Sequence, residues 1–377
     1  MQKTYRFSAP GRTELGGNHT DHQRGCVLAA AVELETTAEV TLNGTDTIRV
    51  FSEGYAPVEV QLDDLAVRAG EKNTTAALVR GVAAAFVERG AELQGFDAHV
   101  RSNVLPGSGL SSSAAFEVLM GTILNELFFH KSLSTAEVAR IGQYAENVYF
   151  GKPCGLMDQM ASAVGGMVFI DFEYPACPIV ERIDFDLAAA GYALCIIDTG
   201  ADHADLTAEY AAIPGEMKQI CAYFGKNVLR QVPQETFFAA LPQLRGRVPD
   251  RAILRAMHFY RENERVERQV QALRAGDVEE FLRLVRQSGR SSWMYLQNIT
   301  PAGAVEQQAV AVALALCEEL LDGRGACRVH GGGFAGTVQA FVPLDALENF
   351  RAGIETVLGA GKCHVLQIRA AGGVRVE

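Results

Sequence analysis

The sequence lacks the features that mark membrane, secreted and nucleic-acid-binding proteins. Its longest apolar run is the nine residues 309–317, whereas a helix that crosses a bilayer needs roughly 20. Residues 1–12 contain no apolar core of signal-peptide length. There is no Lys/Arg-rich run and the net charge is −11, which disfavours a polyanion as partner. We therefore expect a cytoplasmic protein with neither a membrane nor a nucleic-acid partner.

Cysteine pairs of the C-x-x-C type are also absent. The eight cysteines are scattered along the chain, which argues against a disulfide framework or a zinc site and favours reduced core residues. Internal repeats, low-complexity tracts and long polar linkers are missing too. With 377 residues, 48% of them hydrophobic and 21% charged, the chain has room for one large or two medium domains with sizeable cores.

Runs of strand patterns and runs of helix patterns predict an α+β protein. Strands are predicted over 37–42, 48–51, 96–104, 167–172, 192–197, 328–342 and 364–369, and helices over 75–88, 114–129 and most of 216–316. Asn43-Gly44 predicts a hairpin turn. Ser134, with Glu137 three residues on, predicts the N-cap of a helix that runs to about residue 148. A weak composition shift near 175–195 is the candidate domain boundary.

A Gly/Ser-rich turn at 105–115 leads from a strand into a helix. Helix N-termini leave about four backbone N–H groups unpaired and carry partial positive charge, so they suit anions. Gly107 and Gly109 would let a ligand approach the backbone, and Ser111, Ser112 and Ser113 add hydroxyl groups. The segment is neither a Walker A loop nor a dinucleotide-binding motif. An ordinary capped helix after a turn is the alternative.

Residues 8–25 place arginine, asparagine, histidine and aspartate side chains between glycines. A sugar needs such a density of donors and acceptors, because each hydroxyl requires a partner once it leaves water. A metal site made by His19, Asp21 and His22 is one alternative, and a solvated loop is another.

Two carboxylates, Glu146 and Asp158, stand twelve residues apart on either side of a Gly/Pro break. Phosphoryl transfer uses one carboxylate on Mg²⁺ and another beside the attacking hydroxyl. Asp158 lies among apolar residues, where an unpaired carboxylate is costly. Glu146 alone also fits a solvated helix face.

Glycines at 331, 332, 333 and 336 lie between two strand patterns. A tight hairpin with bulges is one interpretation. Four glycines exceed what a hairpin needs, which instead indicates a close backbone approach to another segment or to a ligand.

Together these segments resemble the motifs of the GHMP kinases. Residues 106–114 resemble the second motif, P-x-x-G-L-S-S-S-A, and residues 328–336 resemble the third. Residues 11–22 are similar to the signature G-R-x-N-L-I-G-E-H-T-D-Y of the galactokinase family. The resemblance implies an α+β, two-domain GHMP kinase fold with its active site in the cleft between an N-terminal mixed α/β domain, 1–175, and a C-terminal α+β domain, 176–377. It also implies a monomer that uses Mg²⁺ and ATP to phosphorylate the C1 hydroxyl of D-galactose.

The same resemblance assigns roles to individual residues. Arg12 and Asp158 would be catalytic, and Ser113 and Glu146 would hold Mg²⁺. The sugar would be bound by Asn18, His19, Asp21, Gly155 and Tyr210. ATP would be bound by Pro106, Gly107, Ser108, Gly109, Leu110, Ser111, Ser112 and Ser113, with residues 74–82 near the adenine.

The chain also departs from the galactokinase pattern. Asn18 stands where the family usually has Glu, His22 where it has Tyr, and Ala29 where it has Pro, and the arginines that usually follow Tyr210 are absent. Galacturonate and arabinose are therefore alternative substrates, and a non-catalytic sensor of sugar and ATP is a third reading. Since galactokinases usually carry more residues before the arginine, we also expect an N-terminal piece to be missing.

Overall fold

The computed structural model of the chain describes residues 3–105, 107–152, 154–201 and 206–376. Within them the strands are β1 (Thr4–Gly16), β2 (Cys26–Leu42), β3 (Thr47–Ser52), β4 (Val58–Gln61), β5 (Phe96–Ser102), β6 (Met167–Asp171), β7 (Ile179–Ile183), β8 (Tyr192–Asp198), β9 (Ala326–His330), β10 (Thr337–Pro343), β11 (Cys363–Leu366) and β12 (Val374–Arg375). The α-helices are α1 (Thr75–Val87), α2 (Ser112–Phe128), α3 (Thr135–Tyr144), α4 (Met157–Val164), α5 (Thr207–Tyr223), α6 (Gln234–Ala239), α7 (Leu241–Leu244), α8 (Asp250–Arg274), α9 (Val278–Ser291), α10 (Ala309–Leu321) and α11 (Leu347–Leu358). The predicted α+β class is confirmed.

The larger sheet has eight strands and is built around β1 and β2. Its order is β12-β1-β2-β5-β3-β4, and β6 pairs with β2 and with β7. The pairing of β1 with β2 shifts register between Pro10 and Arg12 and again between Glu14 and Gly16. Such bulges bend a strand and re-aim its side chains, and the first of them adjoins Arg12.

The smaller sheet has four antiparallel strands in the order β11-β8-β10-β9. Helices α10 and α11 cover one face of it, where Ala313, Cys317 and Ile354 pack on the sheet. The space between the two sheets is filled by side chains of α8 and α9, such as Val266 and Phe281. Helices α1 to α4 pack on the larger sheet in a separate cluster. The predicted division at 175/176 stays a prediction, and strands β7 and β12 of the larger sheet lie beyond it.

Several local predictions are confirmed. Ser134 and Glu137 form a capping box in which each side chain bonds the backbone of the other residue. The strands predicted at 37–42, 48–51 and 192–197 lie inside β2, β3 and β8. None of the helices in the described ranges is both long and apolar enough to cross a membrane.

The predicted hairpin at Asn43-Gly44 is wrong. Strand β5 lies between β2 and β3, antiparallel to the first and parallel to the second. The Asn43 amide donates to Thr47 O (3.0 Å) and to Asp97 Oδ1 (2.8 Å), and so ties the turn to β5. An Asn-Gly pair fixes local turn geometry, and here long-range pairing decides which strands become neighbours.

Two element boundaries are also wrong. Residues 8–16, predicted as part of a glycine-rich loop, belong to β1, and only residues 17–25 leave the sheet before β2. The bulges accommodate the glycines within the strand. The helix predicted to run to about residue 148 is α-helical only to Tyr144 and continues as a π-helical segment, Ala145–Phe150.

Candidate active site

Arg12 on β1 and Asp158 on α4 form an ion pair. The guanidinium donates from Nε to Asp158 Oδ1 (2.7 Å) and pairs through Nη2 with Oδ2 (2.6 Å), a bidentate arrangement. Asp158 lies in the first turn of α4, where the helix dipole favours a carboxylate. The Arg12 side chain is 8% exposed and that of Asp158 29%, so the aspartate keeps an accessible side.

The phosphate loop, residues 107–113, lies against the same arginine. Arg12 Nη1 donates to the carbonyl of Gly109, and the Arg12 backbone N–H donates to Leu110 O (2.9 Å). Gly107 and Gly109 have φ values of +71° and +72°, which glycine adopts without strain. Pro106 lies outside the described residues.

The N-terminus of helix α2 is open to an anion. Ser111 occupies the N-cap position, and among the described residues no side chain caps the helix there. Ser112 is exposed and Ser113 is half-buried. The first backbone N–H groups of α2 therefore face the loop with hydroxyl groups beside them, which suits phosphate oxygens.

Glu146 approaches the same helix start from the π-helical segment. Its carboxylate is 3% exposed, accepts from Ser113 Oγ (3.3 Å) and from Gln159 Nε2 (2.9 Å), and pairs with Lys152 Nζ (3.3 Å). The alternative of a solvated helix face is therefore wrong. A π-helical turn shifts the register of the side chains that follow it, and such turns are frequent at functional sites.

Helix α1 supports this segment, and it contains most of the stretch predicted to lie near the adenine. A Cβ added to Gly81 would lie 2.8 Å from Ala145 Cβ, so α1 packs closely on the π-helical turn. The Thr74 side chain caps α1 by accepting from Ala77 N (3.3 Å). The stretch 74–82 thus lies at the phosphate end of the site, and its contact with adenine stays a prediction.

Glu117 is a further carboxylate that sequence reasoning missed. Gln159 Nε2 donates to Glu117 Oε2 at 2.9 Å, so one amide group bridges Glu117 and Glu146. Burial, followed by the nearby Glu146, raises the pKa of Glu117 well above its usual range. Its position in the mostly apolar segment 114–124 was the available signal, because a glutamate in such a segment needs a partner.

Asp21 and Gly155 meet at the sugar-side end of the site. A Cβ added to Gly155 would lie 1.8 Å from Asp21 Oδ2, so any other residue at position 155 would require the Asp21 carboxylate to move. The His22 backbone N–H donates to Asp21 Oδ1 (2.8 Å). Burial raises the pKa of Asp21 to about 6, and the nearby Asp158 charge contributes.

His19 and His22 lie next to Asp21 with their rings in edge contact, 5.6 Å between centroids. His19 Nε2 lies 3.0 Å from Gly332 O and must donate to it, since a carbonyl only accepts. Burial lowers the pKa of His19, and it lowers that of His22 to about 3. Within the described residues His22 Nε2 is buried without a hydrogen-bond partner.

Asn18 lies behind this surface and is 0% exposed. Its Nδ2 donates to Gly331 O (2.7 Å), and its Oδ1 accepts from Asn298 Nδ2 (2.9 Å) and Ser292 Oγ (3.3 Å). The structure thus places His19 beside Gly332 and Asp21 beside Gly155, and it commits Asn18 to protein partners. A sugar contact by Asn18 stays a prediction that this geometry does not favour.

The glycine loop, residues 331–336, connects β9 to β10 and touches the sugar-side residues. Tyr210 on α5 donates from its hydroxyl to Gly333 O (3.0 Å). A Cβ at Gly332 would lie 2.6 Å from the Tyr210 ring, and one at Gly333 would lie 2.1 Å from Asn298 O. The predicted close backbone approach is confirmed, within a hairpin whose connection is long rather than tight.

The described residues contain no group of three or more His, Cys, Asp or Glu side chains arranged to hold a metal ion. His19, Asp21 and His22 are accordingly not assembled as a metal site. A cavity of about 500 Å³ opens beside the phosphate loop, where Gly107 and Ser108 form part of its lining. Asp198, Gly336 and Lys362 also line this cavity. The predicted cleft that joins Arg12 and Asp158 to the loop stays a prediction.

Comparisons with known proteins identify two matching family models and a curated relative. Residues 77–166 match the GHMP kinases N terminal domain, and residues 2–42 match the galactokinase galactose-binding signature. The galactokinase of Streptomyces coelicolor is 34% identical over 359 residues, which cover 94% of this chain and 88% of that protein.

Solved structures have the same fold. Lactococcus lactis galactokinase complexed with galactose superposes with a TM-score of 0.85 at 26% identity, covering 99% of this chain and 95% of that one. L. major mevalonate kinase in complex with R-mevalonate, 16% identical with a TM-score of 0.66, covers 98% of both chains and shares the fold alone. The chain has the GHMP kinase fold and belongs to the galactokinase family.

Proposed function

We propose that the protein is an ATP-dependent sugar 1-kinase that converts ATP and D-galactose to α-D-galactose 1-phosphate and ADP. The observation that carries the proposal is the bidentate pair of Arg12 and Asp158, which lies between the phosphate loop and the Asp21–Gly155 corner. The two galactokinases named above act, by their names, on galactose. All of these groups come from one chain, so a monomer would carry a complete site.

In the proposed reaction the C1 hydroxyl oxygen of the sugar attacks the γ-phosphorus of ATP in line. A bond forms between that oxygen and phosphorus, and the bond from phosphorus to the bridging oxygen of ADP breaks. Asp158 orients the hydroxyl and receives its proton through its accessible side. Arg12 stabilises the charge that develops on the transferred group, and its guanidinium binds both Asp158 and the Gly109 carbonyl.

Asp21 and Gly155 would position the sugar ring. A carboxylate that faces a sugar can accept two hydroxyl hydrogen bonds, which is consistent with ring hydroxyls at C3 and C4. Gly155, just before α4, would leave its backbone accessible to the sugar, because a side chain there would displace the Asp21 carboxylate. His19 would border the C6 side.

Ser113 and Glu146 fit a Mg²⁺ ion that accompanies ATP. A hydroxyl and one carboxylate are the hard oxygen ligands that Mg²⁺ accepts beside phosphate oxygens and water. Lys152 already places a cation against the same Glu146 oxygen that Ser113 contacts. When bound, Mg²⁺ would neutralise negative charge on the phosphates of ATP. Gln159 holds the other Glu146 oxygen in place.

The alternatives are less favoured. A pure sensor has no need for an assembled Arg12–Asp158 pair or for a buried Glu146 beside Ser113. Galacturonate and arabinose were suggested by Asn18, but its amide faces the protein interior and adds no donor to the cleft.

An ADP-release assay over galactose, galacturonate, arabinose and N-acetylgalactosamine tests the proposal. Galactose should give the highest kcat/KM, and phosphorus NMR should identify a sugar 1-phosphate. Asp158→Asn is the control that should lose turnover while keeping its circular dichroism spectrum. A folded protein that binds ATP and releases no ADP with galactose would contradict the proposal.

A further inference from the structure

A chain of buried hydrogen bonds connects β1 to the phosphate loop through β9 and β10. Gln339 Nε2 donates to Thr13 Oγ1 (2.7 Å), and Thr13 Oγ1 lies 3.0 Å from His330 Nε2. His330 Nδ1 lies 2.9 Å from Thr337 Oγ1, which donates to Ser108 O (2.8 Å). All five residues are buried. We call this set the His330 relay.

The two ends of the His330 relay determine the direction of three of its four bonds. The Ser108 carbonyl can only accept, so the Thr337 hydroxyl donates to it and must accept from Nδ1–H of His330. At the other end, Gln339 Nε2 also donates to the carbonyl of Glu14 (3.0 Å), which fixes its amide orientation. Thr13 then accepts from the amide. Burial lowers the pKa of His330 to about 3, so the imidazole is neutral. With its proton on Nδ1, the ring accepts from the Thr13 hydroxyl through Nε2.

The relay ends where the nucleotide phosphates are proposed to bind. Ser108 O is held by Thr337, and the neighbouring Gly109 O is held by Arg12. The His330 ring also packs on Gly109, since a Cβ there would lie 3.0 Å from Nδ1. Two successive carbonyls of the loop are therefore held by different partners, Thr337 and Arg12. This restricts rotation of the backbone at Ser108 and Gly109.

We propose that His330 and Thr337 are positioning residues that hold Ser108 and Gly109 in the backbone conformation that receives the ATP phosphates. The proposal rests on the proposed function, because it assigns the loop to ATP. It predicts a selective effect: loss of the relay weakens nucleotide binding and leaves galactose binding nearly as it was. A merely structural network would lower stability without separating the two ligands.

The test measures binding of a non-hydrolysable ATP analogue with Mg²⁺, by calorimetry and without sugar. Thr337→Val removes the hydroxyl at nearly constant shape and leaves the buried Ser108 carbonyl unpaired, so the dissociation constant should rise about tenfold. Thr337→Ser keeps the hydroxyl and should recover most of the affinity. The galactose dissociation constant, measured separately, should change by less than about twofold, given the usual independence of sites without shared partners.

Matched variants make the result specific. Thr122→Val removes a buried hydroxyl that bonds Val118 O (2.7 Å) further along α2, and it should leave analogue binding unchanged. His330→Leu should match Thr337→Val. His330→Asn can still donate from an amide near the Nδ1 position, so it should bind the analogue better than His330→Leu does, and this pair carries the test if Thr337→Val does not fold.

Analogue binding by folded Thr337→Val at wild-type strength would overturn the proposal. Equal weakening of analogue and galactose would do so too, as would Thr337→Ser behaving like Thr337→Val. If the wild-type protein binds the analogue but phosphorylates no sugar, the proposed function fails while the positioning role is still measurable.

Discussion

The two ends of the cleft use their polar side chains in opposite ways. At the phosphate end Ser112 is exposed and Ser113 half-buried, beside a helix start that no described side chain caps. At the sugar end Asn18 is fully buried, with its amide bound to Gly331 and Asn298. Polar residues of a motif can therefore face a ligand or support the residues that do, and burial with a complete set of partners separates the two cases.

The largest effect is expected where the two ends meet. Asp158→Asn removes the proton acceptor and leaves Arg12 with a neutral partner, so kcat should fall roughly 10²- to 10⁴-fold, the range of general-base contributions. Steady-state kinetics would measure the loss, with circular dichroism and ATP-analogue binding as controls for folding. Near-normal turnover by the folded variant would show that Asp158 is not catalytic. The two ends of the site would then not meet at a reacting group.

A smaller loss is expected from the phosphate end alone. Glu146→Gln should weaken metal binding and lower kcat/KM for Mg-ATP by on the order of 10²-fold, because a ligand is removed from a buried position. Electron paramagnetic resonance with Mn²⁺ and the analogue would report the metal directly. Glu319→Gln, an exposed change on α10, serves as the matched control. Unaltered Mn²⁺ binding would rule out Glu146 as a ligand.

The sequence was most informative where a motif or a short spacing links the residues that interact. Arg12 and Asp158, 146 positions apart, could be paired because each adjoins a recognisable glycine-rich segment. The capping box at Ser134 was predictable because its two partners are three residues apart. In these cases the family resemblance or the short spacing in sequence indicated which residues are close in space.

Other contacts between residues far apart in sequence could not be predicted. The bond between Thr13 and His330 joins residues 317 positions apart, and neither residue has a local pattern that indicates the other. The hairpin at Asn43 failed for the same reason, since β5 enters the sheet between two strands that are adjacent in sequence. The π-helical turn that directs Glu146 also has no simple periodicity, because it interrupts the 3.6-residue pattern used to recognise a helix.

The dependence of kcat/KM on pH tests the sugar end of the site through Asp21. The pKa of Asp21 is raised to about 6, chiefly by burial, so a growing fraction of the carboxyl is protonated below that pH. A protonated Asp21 accepts hydroxyl hydrogen bonds less well, and kcat/KM for galactose should fall about tenfold per pH unit once the pH is well below 6.

The matching measurement is analogue binding over the same pH range. It should change less, because Asp21 lies at the sugar end. Asp21→Asn should have low activity without this inflection near pH 6. An inflection that survives in Asp21→Asn, or that appears equally in analogue binding, would assign the titration to another group.

The smallest effect on catalysis, and the sharpest test of the comparison, is expected at Asn18. Asn18→Ala leaves the Gly331 carbonyl and the Asn298 amide without their buried partner, which should lower the free energy of unfolding by about 1–3 kcal/mol. KM for galactose should stay within about threefold, because the amide binds the protein rather than the ligand.

Urea unfolding of Asn18→Ala, Asn298→Ala and the double variant would give the coupling energy of this pair. A favourable coupling of about 0.5–3 kcal/mol is expected for residues in one buried network. A large rise in the galactose KM with an unchanged free energy of unfolding would mean that Asn18 touches the sugar. The sugar end would then present its motif residues to the ligand just as the phosphate end does. A substitution that weakens substrate binding without lowering stability removes hydrogen bonds to the substrate rather than to the protein.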